Sequence, residues 1–262
     1  MSDEQFLTSN GVDLKSSLEF LENMKSYDST LKEFINHSSD NIAKLVTYKI
    51  SGDIENYSLI SHHVKNDSRY LGFVRLTEIA LTHEMQAKAN NKKYIDEHFD
   101  EFISEINRVV EIGKSYLGDK INQTEENEKT ETDVKESKGA VLVVDDSAMI
   151  RKFIKRAIDP SEYDIIVAGN GNEAIKIIEG EEKDRIRAIF LDLLMPECNG
   201  FDVLKYFSDH KLFDKYPISI ITGADDKASI DKAFTYQIVD MLIKPFTEKD
   251  VRRILERTVS FK

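Results

Sequence analysis

Five polar side chains stand at the ends of short apolar runs in the C-terminal half of this 262-residue chain: Asp145 and Asp146 after AVLVV, Asp192 in AIFLDLLMP, Thr222 in PISIITG and Lys244 in DMLIKP. Three carboxylates brought together repel one another, and a donor set made only of oxygens calls for a hard cation such as Mg²⁺. The same cation would offset the charge of an incoming phosphoryl group. Lys244 would meet phosphoryl oxygens as a point charge, Thr222 would offer a hydroxyl, and Asp192, central in the set, is the natural nucleophile. Taken singly, such acids merely cap strand ends and such a lysine is a surface charge; the reading rests on all five together.

A second candidate is a histidine. In SHHVKNDSRYLG (61–72), His62 is followed by Val64, Lys65 and Arg69. On a 100° wheel Tyr57, Ile60, Val64 and Leu71 cluster within about 60°, and His62 lies roughly 170° from their centre. His62 is therefore predicted to face solvent, sharing that face with Lys65, Asn66 and Arg69, while His63, at about 90°, flanks it. An exposed histidine is usually only a surface residue, but an imidazole nitrogen is also a good phosphoryl acceptor and leaving group. His37, His83, His98 and His210 fall on separate predicted helices with no HExxH pattern and only one cysteine in the chain, so no zinc site is expected.

The elements that must position these residues differ between the two halves. After residue 139, five apolar runs alternate with amphipathic stretches such as AMIRKFIKRAI, capped by Ser147. Five strands alternating with five helices predict an α/β, doubly wound (βα)5 domain over 139–262, its five-stranded parallel sheet covered on both faces. Ligand sites in such sheets lie at the carboxyl ends of the strands, where the five residues fall.

Residues 1–118 contain no proline, and apolar residues recur at helical spacing through 13–117. Helices are predicted over 13–24, 29–51, 54–71, 73–89 and 93–117, with Gly52 and Gly72 as breaks and Asp53 as a cap. Short connections imply an all-α antiparallel bundle. Between the halves, residues 119–138 hold seven acids, four bases and two aliphatic residues. That stretch cannot bury a core and reads as a flexible acidic linker spanning roughly 25 Å.

Composition narrows the functions. With 48 acids against 36 bases the net charge is −12, unfavourable for non-specific nucleic-acid or anionic-membrane binding. No apolar run approaches a membrane span, and the start, MSDEQFLTSNGVD, shows no secretory pattern. The single cysteine, Cys198, excludes an internal disulfide, and a loop or packing role is expected for it rather than a redox one. The expected compartment is the cytoplasm.

The C-terminal half resembles the receiver domain of two-component response regulators along its whole length: VVDD, LDLLMPECNG around Asp192, IITGA around Thr222 and IKPF around Lys244, separated by 46, 30 and 22 residues from Asp146 onward. The resemblance implies a flavodoxin-like fold and phosphorylation of Asp192. It further implies Mg²⁺ held by Asp146, Asp192 and the backbone carbonyl of Leu194, with Asp145 acting through water. Met241 stands where receivers often carry an aromatic switch residue. Leu194 and Ala224 fill two variable flanking positions; both are apolar and ill-suited to orienting water, so slow hydrolysis of the aspartyl phosphate is expected.

The region around His62 is similar to the histidine phosphotransfer (Hpt) domain, on the histidine, Val64 at +2, Lys65 at +3 and Leu71-Gly72, with Asn66 where that family usually has glycine and Asp67 where it has a small residue. This resemblance implies that His62, with His63 as the lesser candidate, carries phosphoryl and that Lys65 and Arg69 dock a receiver. Together the two resemblances imply a phosphorelay intermediate whose partners are a sensor histidine kinase and other receiver or Hpt proteins. No G-x-G kinase nucleotide-binding region is visible, so phosphoryl is expected from a partner rather than directly from ATP. The bundle and the face formed by the fourth helix, fifth strand and fifth helix of the receiver offer surfaces for a homodimer. The alternative is a non-catalytic scaffold in which receiver phosphorylation controls protein contacts and His62 stays unmodified.

Overall fold

The computed structural model describes residues 3–118, 137–223 and 227–261. They form two compact units, one in each half of the chain. The predicted linker lies outside the described residues except Ser137 and Lys138. These two belong to the second unit: the Ser137 hydroxyl donates to Asp164, and Lys138 pairs with Glu162.

The first unit is helical throughout: α1 (Asp3–Ser9), α2 (Leu14–Leu21), α3 (Met24–Ser51), α4 (Ile54–Tyr70), α5 (Val74–Lys88) and α6 (Lys92–Leu117). Helix α1 was not foreseen. The division between the first two predicted helices, 13–24 and 29–51, also shifts. Glu22 adopts a left-handed φ of 63° that ends α2, and Asn23 caps α3 by accepting from Ser26 N. A short polar residue at that point offers the first turn an acceptor in place of continued helix. Asp53 and Asn91 cap α4 and α6 in the same way.

Helix α3 packs on α4 and α6, and α5 on the same two, closing a ring of four around Leu31, Phe34, Tyr57, Ile60, Leu76, Phe102 and Val109. At the α4–α5 turn, Gly72 (φ 73°) brings its backbone against Asp13, where an added Cβ would lie 2.4 Å from the Asp13 carbonyl oxygen. Glycine is therefore required both for the φ and for the close approach.

The second unit has the element order β1 (Ala140–Val144), α7 (Ala148–Ala157), β2 (Asp164–Ala168), α8 (Gly171–Glu179), β3 (Ile186–Asp192), α9 (Gly200–Asp209), β4 (Ile218–Gly223), α10 (Lys227–Ala233), β5 (Asp240–Lys244) and α11 (Glu248–Val259), with a 3₁₀ turn at Glu181–Arg185. All pairings are parallel, in the order β2-β1-β3-β4-β5. That is the flavodoxin-like doubly wound arrangement. Strands β1 and β4 are buried along their whole length, in keeping with their mainly apolar sequences. Helices α7 and α11 pack together, as do α8 and α9, the latter pair over the apolar cluster of Leu142, Ile189, Leu191, Val203 and Phe207.

Candidate functional site

The strand ends bring the five predicted residues together. Asp145 follows β1, Asp192 ends β3, Thr222 is the penultimate residue of β4 and Lys244 ends β5. Asp145, Asp146 and Asp192 each offer a carboxylate oxygen within 4.8 Å of the others. Lys244 Nζ donates to Asp192 Oδ2 at 2.6 Å and pairs with Asp145 Oδ2 at 2.9 Å. The remaining oxygens are held by backbone: Asp192 Oδ1 accepts from Leu194 N, and Asp145 Oδ1 from Ser147 N. Asp145, Asp192, Thr222 and Lys244 are buried, and Asp146 is half-buried.

The charges respond to this crowding. Burial pushes the Asp145 carboxyl up, the Asp192 and Asp146 charges add to the rise, and Lys244 offsets part of it. Burial pulls on Lys244 the other way, but the two carboxylates outweigh it and hold the ammonium charged, well above its ordinary value. Three carboxyl groups against one lysine leave this oxygen-only pocket short of positive charge. That donor set suits a hard divalent cation such as Mg²⁺.

Local sequence fixes the aim of Asp192. Asn199 and Asp202 form a reciprocal capping box that starts α9 directly against β3. At Gly200 an added Cβ would lie 2.3 Å from the Asp192 carbonyl oxygen, so only glycine allows the helix to begin there. Cys198 packs beside Gly171 and the apolar cluster, as expected for a packing residue. Met241 is half-buried against the same cluster. Ala224 lies outside the described residues. Sequence reasoning missed Arg151, whose guanidinium donates to the Asp145 backbone carbonyl. Its place one helical turn past the Ser147 cap was the available signal.

The response regulator receiver domain family matches residues 141–256. Chemotaxis protein CheY1 of Helicobacter pylori is 32% identical over 117 residues, covering 44% of this chain and 93% of that protein. The chain belongs to the response regulator receiver family. Two-component response regulator ORR3 of Oryza sativa subsp. indica is 29% identical over 126 residues, covering 48% of this chain and 95% of ORR3. A high-resolution structure of the chemotaxis response regulator CheY4 of Vibrio cholerae is 25% identical, with a TM-score of 0.42, covering 47% of this chain and 99% of that one. The family match falls within the C-terminal unit, where Asp192, Thr222 and Lys244 stand at the ends of β3, β4 and β5.

In the helical unit the structure overturns a prediction. Within the full chain His62 is only 4% exposed, not solvent-facing, and Lys65 and Asn66 are buried with it; of the predicted exposed face, Arg69 alone is exposed. His63 is buried too, its ring edge-on to His62. Twelve of the 17 residues of α4 are buried, including polar ones all round the helix, so the wheel of apolar residues could not reveal an open side.

The reason lies on α5. Small and hydroxyl side chains let the two helices approach and knit them together: Ser68 bonds Thr77, Tyr57 bonds His83, and the Ser58 hydroxyl reaches the Glu84 carbonyl. This places the buried carboxylate of Glu84 beside α4. Glu84 Oε1 meets His62 Nδ1 at 2.9 Å and Lys88 Nζ at 2.7 Å, and Oε2 pairs with Lys65 Nζ at 2.8 Å. Lys65 is thereby drawn inward as a counter-ion rather than left as a docking cation.

Burial alone would raise the Glu84 carboxyl; bonds from His62, Lys65 and Lys88 more than reverse this and hold it well below the usual carboxylate range. An ionised Glu84 only accepts, so the proton of His62 sits on Nδ1. Lys65 Nζ, 3.4 Å from Nδ1, is then a second donor aimed at the same carboxylate. Burial lowers the His62 pKa, against the partial opposition of Glu84, so the ring is neutral at pH 7. With the proton on Nδ1, the lone pair of the neutral ring lies on Nε2.

Proposed function

We propose that this chain is a two-component phosphorelay protein. Its receiver accepts a phosphoryl group on Asp192 in an Mg²⁺-dependent reaction and exchanges it with His62 or with partner proteins. The observation that carries the reading is the bridging of Asp192 and Asp145 by Lys244 amid three carboxylates at the carboxyl ends of the sheet.

A carboxylate oxygen of Asp192 attacks phosphorus as the bond to the donor breaks. When the donor is a phosphohistidine protonated on Nδ1, a P–O bond replaces a P–N bond, the electron pair returns to Nε2 and the ring leaves as neutral imidazole. Asp146, Asp192 and the backbone carbonyl of Leu194 would hold Mg²⁺, with Asp145 acting through water, and the ion would neutralise charge on the phosphoryl oxygens. Lys244 leaves its carboxylates to meet one phosphoryl oxygen, and the Thr222 hydroxyl donates to another, stabilising the charge where it develops. In reverse, the neutral Nε2 of His62 is the nucleophile, with Glu84 stabilising the positive charge that forms on the ring. Partners by this reading are a sensor histidine kinase and other receiver or Hpt proteins, and the chain works in the cytoplasm. No helix among the described residues is long and apolar enough to cross a membrane.

The burial of His62 favours a second reading, a non-catalytic scaffold in which phosphorylation of Asp192 alters protein contacts and His62 never carries phosphate. Incubation with a radiolabelled phospho-kinase separates the two. The relay predicts alkali-stable, acid-labile label that disappears in His62→Gln; the scaffold predicts only alkali-labile label, lost in Asp192→Asn.

A further inference from the structure

We propose that the Asn66 carboxamide holds the phosphoryl group carried by His62, with Nδ2 donating to its oxygens. This deepens the relay reading and rests on it. Asn66 is 6% exposed, and its enclosed Nδ2 makes no hydrogen bond among the described residues. An amide donor shut away from water without an acceptor is destabilising, and its persistence points to an acceptor that comes and goes.

The position of Asn66 names that acceptor. The residue lies four after His62 on α4, on the same stripe of the helix. Helical side chains lean toward the helix N-terminus, so the carboxamide reaches back over the turn that carries the imidazole. His62 Nδ1 is taken by Glu84, which leaves Nε2 as the atom to be phosphorylated. Lys65 and Lys88 are already paired with Glu84. A phosphoryl group is an acceptor with three oxygens, and Asn66 supplies the uncommitted donor beside it. Glycine at this position would offer no such donor; here the chain trades open space for a hydrogen bond that exists only in the phosphorylated state.

The test uses the full chain carrying Asp192→Asn, so that phosphoryl on His62 cannot drain to the receiver, and phosphoramidate as donor. Its P–N bond breaks, ammonia leaves, and a P–N bond forms at His62 Nε2. Phosphohistidine is followed by ³¹P NMR and intact mass, with His62→Gln as the blank. Asn66→Ala and the isosteric Asn66→Asp are expected to accept the label and lose it about tenfold faster than the parent. The unphosphorylated Asn66→Ala chain should melt at the same or a higher temperature, because an unsatisfied donor has been removed. Equal phosphohistidine lifetimes in parent and variants overturn the proposal, as does a lowered melting temperature with an unchanged lifetime, which marks a structural role. Absence of label on His62 in the parent overturns the relay reading itself.

Discussion

The two units each bury a lysine against carboxylate, with opposite surplus. In the receiver, Asp145, Asp146 and Asp192 surround the single ammonium of Lys244. In the helical unit, the single carboxylate of Glu84 gathers Lys65, Lys88 and the imidazole of His62. The first cluster is short of positive charge and suits a divalent cation followed by phosphoryl. The second is already charge-satisfied around Glu84. Burial costs both clusters solvation, so each is stable only while its counter-charges stay in place. Phosphoryl chemistry thus draws on the same few side chains in two stoichiometries, with the assisting groups concentrated on the receiver side.

The most severe break in this comparison is Asp192→Asn, which should abolish alkali-labile phosphoryl uptake; label retained elsewhere on the receiver would contradict the assignment. Next is Lys244→Ala, which leaves the carboxylates facing one another. We expect a loss of about 3 kcal/mol in metal-free urea melts, with saturating Mg²⁺ restoring more stability to the variant than it adds to the parent. Equal Mg²⁺ gains would mean that the lysine and the cation do not share one charge deficit. The matching change in the helical unit is Glu84→Gln, which strips Lys65 of its buried anion. It too should cost about 3 kcal/mol, read by the same melts, but Mg²⁺ should not restore it.

A pH titration sharpens the contrast. Burial lowers His83, locked between Tyr57 and Phe102, from 6.5 to about 4, and lowers His62 as well. Between those limits the unfolded chain binds more protons than the folded one. The stabilisation from His83 is therefore complete above pH 6.5 and is lost as pH falls toward about 4, amounting to about 3 kcal/mol. Thermal melts from pH 7 to pH 4 should show this acid loss, and His83→Gln should reduce it. The smallest effect expected is on turnover of the aspartyl phosphate. With apolar Leu194 beside Asp192, its half-life should be minutes or longer, and Leu194→Asn should shorten it about fivefold. A half-life of seconds in the parent would refute this.

The receiver was readable because its information is local. The strands carry short, mainly apolar runs, and the candidate site residues sit at or just past their ends, so the parallel sheet converts sequence order into a cluster. The helical unit was readable as helices but not at its site. The wheel weighed Tyr57, Ile60 and Val64 and ignored the partner helix, whose stripe of Leu76, Ala80 and Ala87 carries Glu84 inward. An acid within a buried stripe of small residues signals a cation or imidazole opposite, and that signal was present in TEIALTHEMQAKA. The α2–α3 boundary was displaced because the helical spacing runs on through Glu22, where only the backbone reveals the turn.

The most direct test of the central claim is site-resolved mass spectrometry of the full chain after exposure to acetyl phosphate, with and without Mg²⁺. The account predicts phosphoryl on Asp192 only when Mg²⁺ is present, and none there in the Asp192→Asn chain. Uptake on Asp192 that is indifferent to Mg²⁺, or no uptake by the folded parent under any condition, would contradict it.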